Sequence, residues 1–312
     1  MKGKDGDIYL VLMVGPTAVG KTETAIRLAE DLGGEIVSAD SRLFYKGMDI
    51  GTAKPTLEER ARVPHHLVDI AEPDETLSLS VFQYKAQSAI SDIHGRRRLP
   101  FLVGGTGQYI RAVVQGWTPP QVKPDLKLRA EFARIKEEKG NEWLHDRLKQ
   151  LDPQVAANID ARNVRRTIRA LEVILKTGRR FSELRGQGVS PYHLITVGLS
   201  RPRNELYARI DERIEAMFTQ GLLEEVRGLL VKGYSPELPS MSAIGYRECA
   251  RVIEGSWGIE EAKAAMRRAT RLFVRRQGNW FKESDPDIKW FPAGAEGVTG
   301  LIEAFIRDEL RR

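Results

Sequence analysis

Gly15-Pro16-Thr17-Ala18-Val19-Gly20-Lys21-Thr22 decides how this chain is read. The stretch satisfies G-x-x-x-x-G-K-[ST], a loop whose glycines turn backbone N–H groups toward a phosphate, whose Lys neutralises it and whose Thr holds Mg²⁺. Its flanks supply the context the motif needs. Ile8-Tyr9-Leu10-Val11-Leu12-Met13-Val14 is a strand-like apolar run before it, and Ala25, Leu28, Ala29 and Leu32 follow at helical spacing. Strand, loop and helix therefore stand in order, and the helix N-terminus adds partial positive charge. A phosphate site on an α/β unit is expected; which phosphate stays open.

Gly33-Gly34 then turns the chain into a second strand, Glu35 to Ala39, which ends at Asp40. Chemistry in open α/β sheets lies beyond the carboxyl ends of the strands, so Asp40 is a candidate catalytic carboxylate; it reads equally as a turn cap beside Ser41 and Arg42. Ser41 to Pro64 reads as a long loop over the site with a short helix near Leu57 to Arg62. His65 to Ile70 is expected to be a strand, whose alternation sends the two histidines to opposite faces and argues against a shared metal. A helix carrying Phe82, Ala86, Ala89, Ile90 and Ile93 leads through Arg96-Arg97-Arg98 to the buried strand Pro100 to Val103. Gly104-Gly105-Thr106-Gly107 follows. An ATPase would place an acid at that strand end, and this chain has none there.

The composition is that of a water-soluble globular protein: 312 residues, 41% hydrophobic and 29% charged. No apolar run approaches the roughly 20 residues of a membrane span, and Met1 to Asp7 lacks a signal core. No membrane partner is expected. The lone Cys249 excludes an internal disulfide and suits a reducing cytoplasm. The balance of 49 basic to 43 acidic side chains, +6 overall, directs attention to where the positive charge sits. Proline-rich sequence from Gly116 to Pro124 introduces helices at Leu126 to Glu138, Trp143 to Leu151 and Asn163 to Thr177, broken at Gly140, Asp152-Pro153 and Gly178. In the last of these Arg162, Arg165, Arg166 and Arg169 form a basic face opposite the apolar stripe Val164, Ile168, Leu171 and Leu175. With no acid at those positions the face is expected to meet a polyanion, the neutral account being a solvated surface. The strand Leu194 to Leu199 is followed by Arg201 and Arg203, which could return to the phosphate site. Arg267, Arg268, Arg271 and Arg275 line one side of a late helix that ends at Gln277, Trp280 and Phe281, a pattern suited to phosphate contact with base stacking; Trp280 alone reads as well as a buried core residue.

Taken together these motifs resemble the tRNA dimethylallyltransferases. The resemblance rests on Gly15 to Thr22, Ser38-Ala39-Asp40-Ser41-Arg42, Gly47 to Pro55, His65 to Ile70, Val103 to Gly107, Ile168 to Val173, Ile244-Gly245-Tyr246-Arg247 and Arg275-Arg276-Gln277, in family order over nearly the whole chain. Val19, Arg165 and Asn279 stand where the family more often has Ser, Gln and Thr. The resemblance implies a P-loop NTPase-like parallel sheet flanked by helices, formed by residues 1–117 and 194–312, with an inserted all-helical domain at 118–193. It implies transfer of a dimethylallyl group from dimethylallyl diphosphate to N6 of the adenosine 3′ of the anticodon, in tRNAs reading codons that begin with U. Gly15, Pro16, Thr17, Ala18, Val19, Gly20, Lys21 and Thr22 would bind the donor diphosphate, with Mg²⁺ on Thr22. Asp40 would be the base, with Thr106 and Lys21 as its catalytic partners. The tRNA anticodon stem-loop would meet Asp40, Ser41, Arg42, Leu43, Thr106, Arg129, Arg165, Arg166, Thr167, Ile168, Arg169, Ser242, Gly245, Tyr246, Arg247, Arg275, Gln277 and Trp280. A cytoplasmic monomer is expected. The rival readings are a small-molecule kinase using the loop on ATP, an isopentenyltransferase acting on free adenylate, and an RNA-binding protein without catalysis.

Overall fold

The structure, a computed structural model, describes residues 8–118, 120, 122–184 and 186–312; Met1 to Asp7, and Pro119 and Gln121 of the proline-rich boundary, lie outside these. The first half of the chain alternates strand and helix. It runs β1 (Ile8–Val14), α1 (Lys21–Leu32), β2 (Gly34–Ser38), α2 (Leu57–Arg62), β3 (His65–His66), α3 (Leu79–Gly95), β4 (Leu99–Val103) and α4 (Gly107–Val114). A separate segment then gives β5 (Trp117–Thr118), α5 (Leu126–Leu151), α6 (Pro153–Ala156), α7 (Val164–Thr177), α8 (Phe181–Leu184) and β6 (Gly186–Gln187). The chain returns through β7 (Tyr192–Ser200), α9 (Arg203–Thr219), α10 (Leu222–Val231), α11 (Tyr246–Ile253), α12 (Ile259–Gln277), β8 (Lys289–Pro292) and α13 (Val298–Glu309).

Six strands form one parallel sheet in the order β3-β2-β4-β1-β7-β8. A central parallel strand is covered on both faces, which is why β1 is apolar without interruption. Its alternation divides the core. Tyr9, Val11 and Met13 enter the cluster that includes Ala25 and Leu28 of α1 and Ile210 of α9, whereas Leu10, Leu12 and Val14 enter the cluster with Phe82 and Ile90 of α3 and Val113 of α4. The expected strand at His65 to Ile70 is only two residues long. Leu67 and Asp69 take left-handed φ of 61° and 54°, and Asp69 is drawn into ion pairs with Lys54 (2.6 Å) and Arg60 (2.7 Å), so the chain leaves the ladder. At the C-terminus β8 and α13 are elements that the sequence pattern does not announce.

Two compact units result, one of residues up to Val114 with Ser190–Arg312, the other Gln115–Val189. The second has its own core, in which Phe132, Leu144, Leu148, Ala170 and Leu171 are buried together. Gly140 interrupts α5 with φ 85° and ψ 169°, and Gly178 closes α7 in the left-handed region at φ 67°. Asn163 caps α7 by accepting from Arg166 N–H.

Candidate active site

β1 delivers the glycine-rich loop to the carboxyl edge of the sheet, and the loop is shaped by its neighbours. Gly15 has φ +146°, and a Cβ there would stand 2.5 Å from the Leu199 carbonyl oxygen; no larger residue fits against β7. Gly20, at φ +112°, starts α1 at Lys21. Lys21 Nζ folds back on its own loop, donating to the carbonyls of Gly15 (3.0 Å) and Pro16 (2.8 Å). Burial pulls its pKa from 10.5 down to about 8, against the carboxylate of Asp40, which raises it, and with the help of Arg213, which lowers it further.

Asp40 lies two residues beyond the end of β2. Its Oδ1 accepts from Arg42 N–H at 3.0 Å, so the turn-capping reading holds for one oxygen. The same residue lines two cavities, of about 270 and 310 Å³, which also share Thr17, Thr52, Ala53 and Arg213. Lys21 and Thr22 border the first. Thr106 borders the second, together with the apolar side chains of Ile210, Ile214, Met217, Met266 and Phe273. The glycine-rich loop, Asp40 and Thr106 are thus brought together, although they follow three different strands.

The loop over the site is held by buried and half-buried polar side chains. Glu225 of α10 accepts from the N–H groups of Asp49 (2.9 Å) and Ile50 (2.8 Å) and from the Tyr246 hydroxyl (2.5 Å). Lys54, whose side chain is 1% exposed, ties Asp49 to Asp69. Arg42 spans to the carbonyls of Pro239 (3.0 Å) and Ser240 (3.3 Å) and to Ser242 Oγ (3.4 Å). Two site residues escape sequence reasoning. Arg209 donates to the Ala18 carbonyl at 2.8 Å, and Arg213 lines both cavities; both belong to α9, whose pattern announces only an amphipathic core helix.

Several residues expected at an RNA surface are placed otherwise. Tyr246, Gly245, Thr167 and Gln277 are buried, because each faces the core side of its helix or turn. Ile168 packs against the core of the second unit. The basic face of α7 is only partly free: Glu172, fully buried, binds both Arg129 (2.8 Å) and Arg169 (2.6 Å), and Arg162 pairs with Asp160. Arg165 and Arg166 are exposed. On α12, Arg267 pairs with Glu215 and Arg271 with Asp211, which leaves Arg268, Arg275 and Arg276 exposed. Arg247 pairs with Glu248 at 2.6 Å. Trp280 is half-buried, with Arg111 5.3 Å above its ring. Ser41, Leu43 and Ser242 remain beside the cavities. Arg201 does not return to the phosphate site, since it is held by Glu205 and the Ala293 carbonyl.

The family model for IPP transferase matches residues 43–284, more than three quarters of the chain. The chain belongs to the IPP transferase family. A second family model, isopentenyl transferase, matches residues 7–66, the part that holds the glycine-rich loop and Asp40. The tRNA dimethylallyltransferase of Roseiflexus sp. (strain RS-1) is 52% identical over 300 residues, 96% of this chain and 98% of that one. The crystal structure of a full-length tRNA isopentenylpyrophosphate transferase from Bacillus halodurans is 41% identical, covers 97% of both chains and superposes with a TM-score of 0.73. A eukaryotic dimethylallyltransferase acting on tRNA superposes with a TM-score of 0.80 at 25% identity, over 97% of this chain and 79% of that one. The glycines after β4, where an ATPase would have an acid, have a steric reason: a Cβ on Gly104 would meet the Ala39 backbone at 2.7 Å, and one on Gly105 would meet Gln277 at 2.1 Å.

Proposed function

We infer that this family member transfers a dimethylallyl group from dimethylallyl diphosphate to N6 of the adenosine 3′ of the anticodon in tRNA. The observation that carries the reading is Asp40, which borders both the cavity of the phosphate loop and the cavity of Thr106. The diphosphate occupies the loop, facing Lys21 and Arg213; the acceptor base enters beside Thr106. N6 forms its bond to the allylic carbon as the carbon–oxygen bond to diphosphate breaks, and its proton passes to Asp40. Exocyclic nitrogen is a weak nucleophile because its lone pair is delocalised, so a positioned base matters. An adenosine inside the anticodon loop must leave its stack to reach such a site, and the apolar wall of Ile210, Ile214 and Met217 suits both a flipped base and a prenyl tail.

Among the described residues no three His, Cys, Asp or Glu side chains converge as a metal site. Thr22, with diphosphate oxygens and water, fits Mg²⁺, which retains several waters and often binds through phosphates. When bound, Mg²⁺ neutralises charge on the departing diphosphate. The chain's own contribution is Lys21, Arg213 and the loop N–H groups. Among the described residues no helix is long and apolar enough to cross a membrane; we place the enzyme, as a monomer, with tRNA in the cytoplasm.

Nucleoside mass analysis of tRNA incubated with the enzyme and dimethylallyl diphosphate tests the reading. One prenyl group on the adenosine next to the anticodon is the expected product. Prenylation of free AMP but not of tRNA, or phosphate transfer from ATP to a small molecule, would replace it with one of the rivals.

A further inference from the structure

Gln277 is the last residue of α12 and is 5% exposed. Its side-chain amide lies between the two glycine-rich loops. Oε1 accepts from Thr17 N–H at 2.8 Å, in the loop after β1, and Nε2 donates to the Gly105 carbonyl at 3.2 Å, in the loop after β4. Gly105 permits the approach because it has no side chain, a Cβ there falling 2.1 Å from Nε2. Trp280, one turn on, closes over Gly107 in the same way, its ring 2.3 Å from where a Cβ would be. The bridge requires one donor and one acceptor on a single planar group. Glutamate lacks the donor and would turn a carboxylate toward the Gly105 carbonyl; asparagine is a methylene short.

We propose that Gln277 is the positioning residue that sets the spacing between the diphosphate loop and Thr106, a role that rests on the functional reading above. Gln277 acts through Thr17 and Gly105 and touches neither substrate. Thr17 precedes Lys21 by one turn of the phosphate loop, and Gly105 is bonded directly to Thr106. The amide therefore joins the half of the site that holds the leaving group to the half that holds the acceptor. Misplacement of reacting groups by about 1 Å costs roughly 10²-fold in rate, and one lost amide bridge between two glycine-rich loops is enough to allow it.

The test combines kinetics with hydrogen exchange on full-length enzyme, using dimethylallyl diphosphate and tRNA. Gln277→Ala is expected to lower kcat roughly 10²-fold while the donor KM and the filter-binding Kd for tRNA stay within about threefold. Gly105→Ala breaks the same bridge, so the double variant should be no slower than the slower single one, the mark of a shared interaction. The Thr17 amide should exchange at least about tenfold faster in Gln277→Ala, with the amides of β1 unchanged. An unaltered kcat, losses that multiply in the double variant, or unchanged Thr17 exchange each overturn the proposal. So does loss of protection throughout β1, which would make Gln277 a folding residue. A wild-type enzyme that prenylates no tRNA overturns the functional reading and the positioning role with it, and the bridge itself is then judged on Thr17 exchange alone.

Discussion

At the scale of single residues the site depends on two charges held close together. Asp40 keeps one carboxylate oxygen in a turn, accepting from Arg42 N–H, and in the proposed mechanism the other takes up the proton. Asp40→Asn preserves that turn and removes the base, so kcat should fall by about 10²–10⁴ with little change in tRNA binding; single-turnover prenyl transfer measures the loss, and full activity would remove Asp40 from the mechanism. Lys21 gives a pH prediction. Burial lowers its pKa to about 8, and a bound diphosphate favours the ammonium form and raises that pKa. Above about pH 8 diphosphate binding must then draw a proton onto Lys21, and affinity must weaken as pH rises toward the unperturbed value of 10.5. Calorimetry of inorganic diphosphate in buffers of different ionisation enthalpy should register this uptake near pH 8.5 and much less near pH 7. The difference between wild type and Lys21→Arg isolates it from the titration of diphosphate itself.

At the scale of elements the chain is legible where neighbours in sequence are neighbours in space. β1, its loop and α1 are contiguous, so apolar run, glycines and helical spacing could be read together, and Asp40 followed from its place at the end of β2. The arginine stripes could not be read this way. Arg267 meets Glu215 across 52 residues and Arg271 meets Asp211 across 60, and helical periodicity is blind to partners on another helix. Arg209 and Arg213 escaped for a related reason: their helix carries an ordinary amphipathic pattern, and only the packing of α9 against the phosphate loop makes them site residues. Glu172 is the sharpest case, since it lies three residues from Arg169 and faces inward, where it gathers Arg129, Arg169 and the Asp125 N–H. Burial pushes its pKa up, but the bonds from Arg129, Asp125 N–H and Arg169 prevail and leave it at about 2. A depressed carboxylate contributes stability that is complete above its ordinary value of 4.5 and is lost as pH falls toward 2. Glu172→Ala leaves two arginines facing each other and should destabilise the second unit by about 3 kcal/mol. Denaturant unfolding, with exchange protection read over residues 126–177, would check it.

At the scale of the whole molecule the net charge of +6 matters less than which cations are left unneutralised. Much of the positive charge is spent on acids of the same chain, and among the described helical arginines singled out from the sequence, Arg165, Arg166, Arg203, Arg268, Arg275 and Arg276 remain exposed without an acidic partner. Binding to a polyanion draws on these first, because each phosphate they neutralise releases condensed counterion. The slope of log Kd against log salt counts such contacts at about 0.7–0.9 each. Arg165→Ala combined with Arg166→Ala should therefore flatten the slope for tRNA by about 1.5, whereas Arg129→Ala, which removes an arginine already bound to Glu172, should act mainly on stability. Filter binding of the anticodon stem-loop across a salt series separates the two. An unchanged slope in the Arg165 and Arg166 double variant would move the RNA off α7 and leave the exposed arginines of α12 to account for its binding.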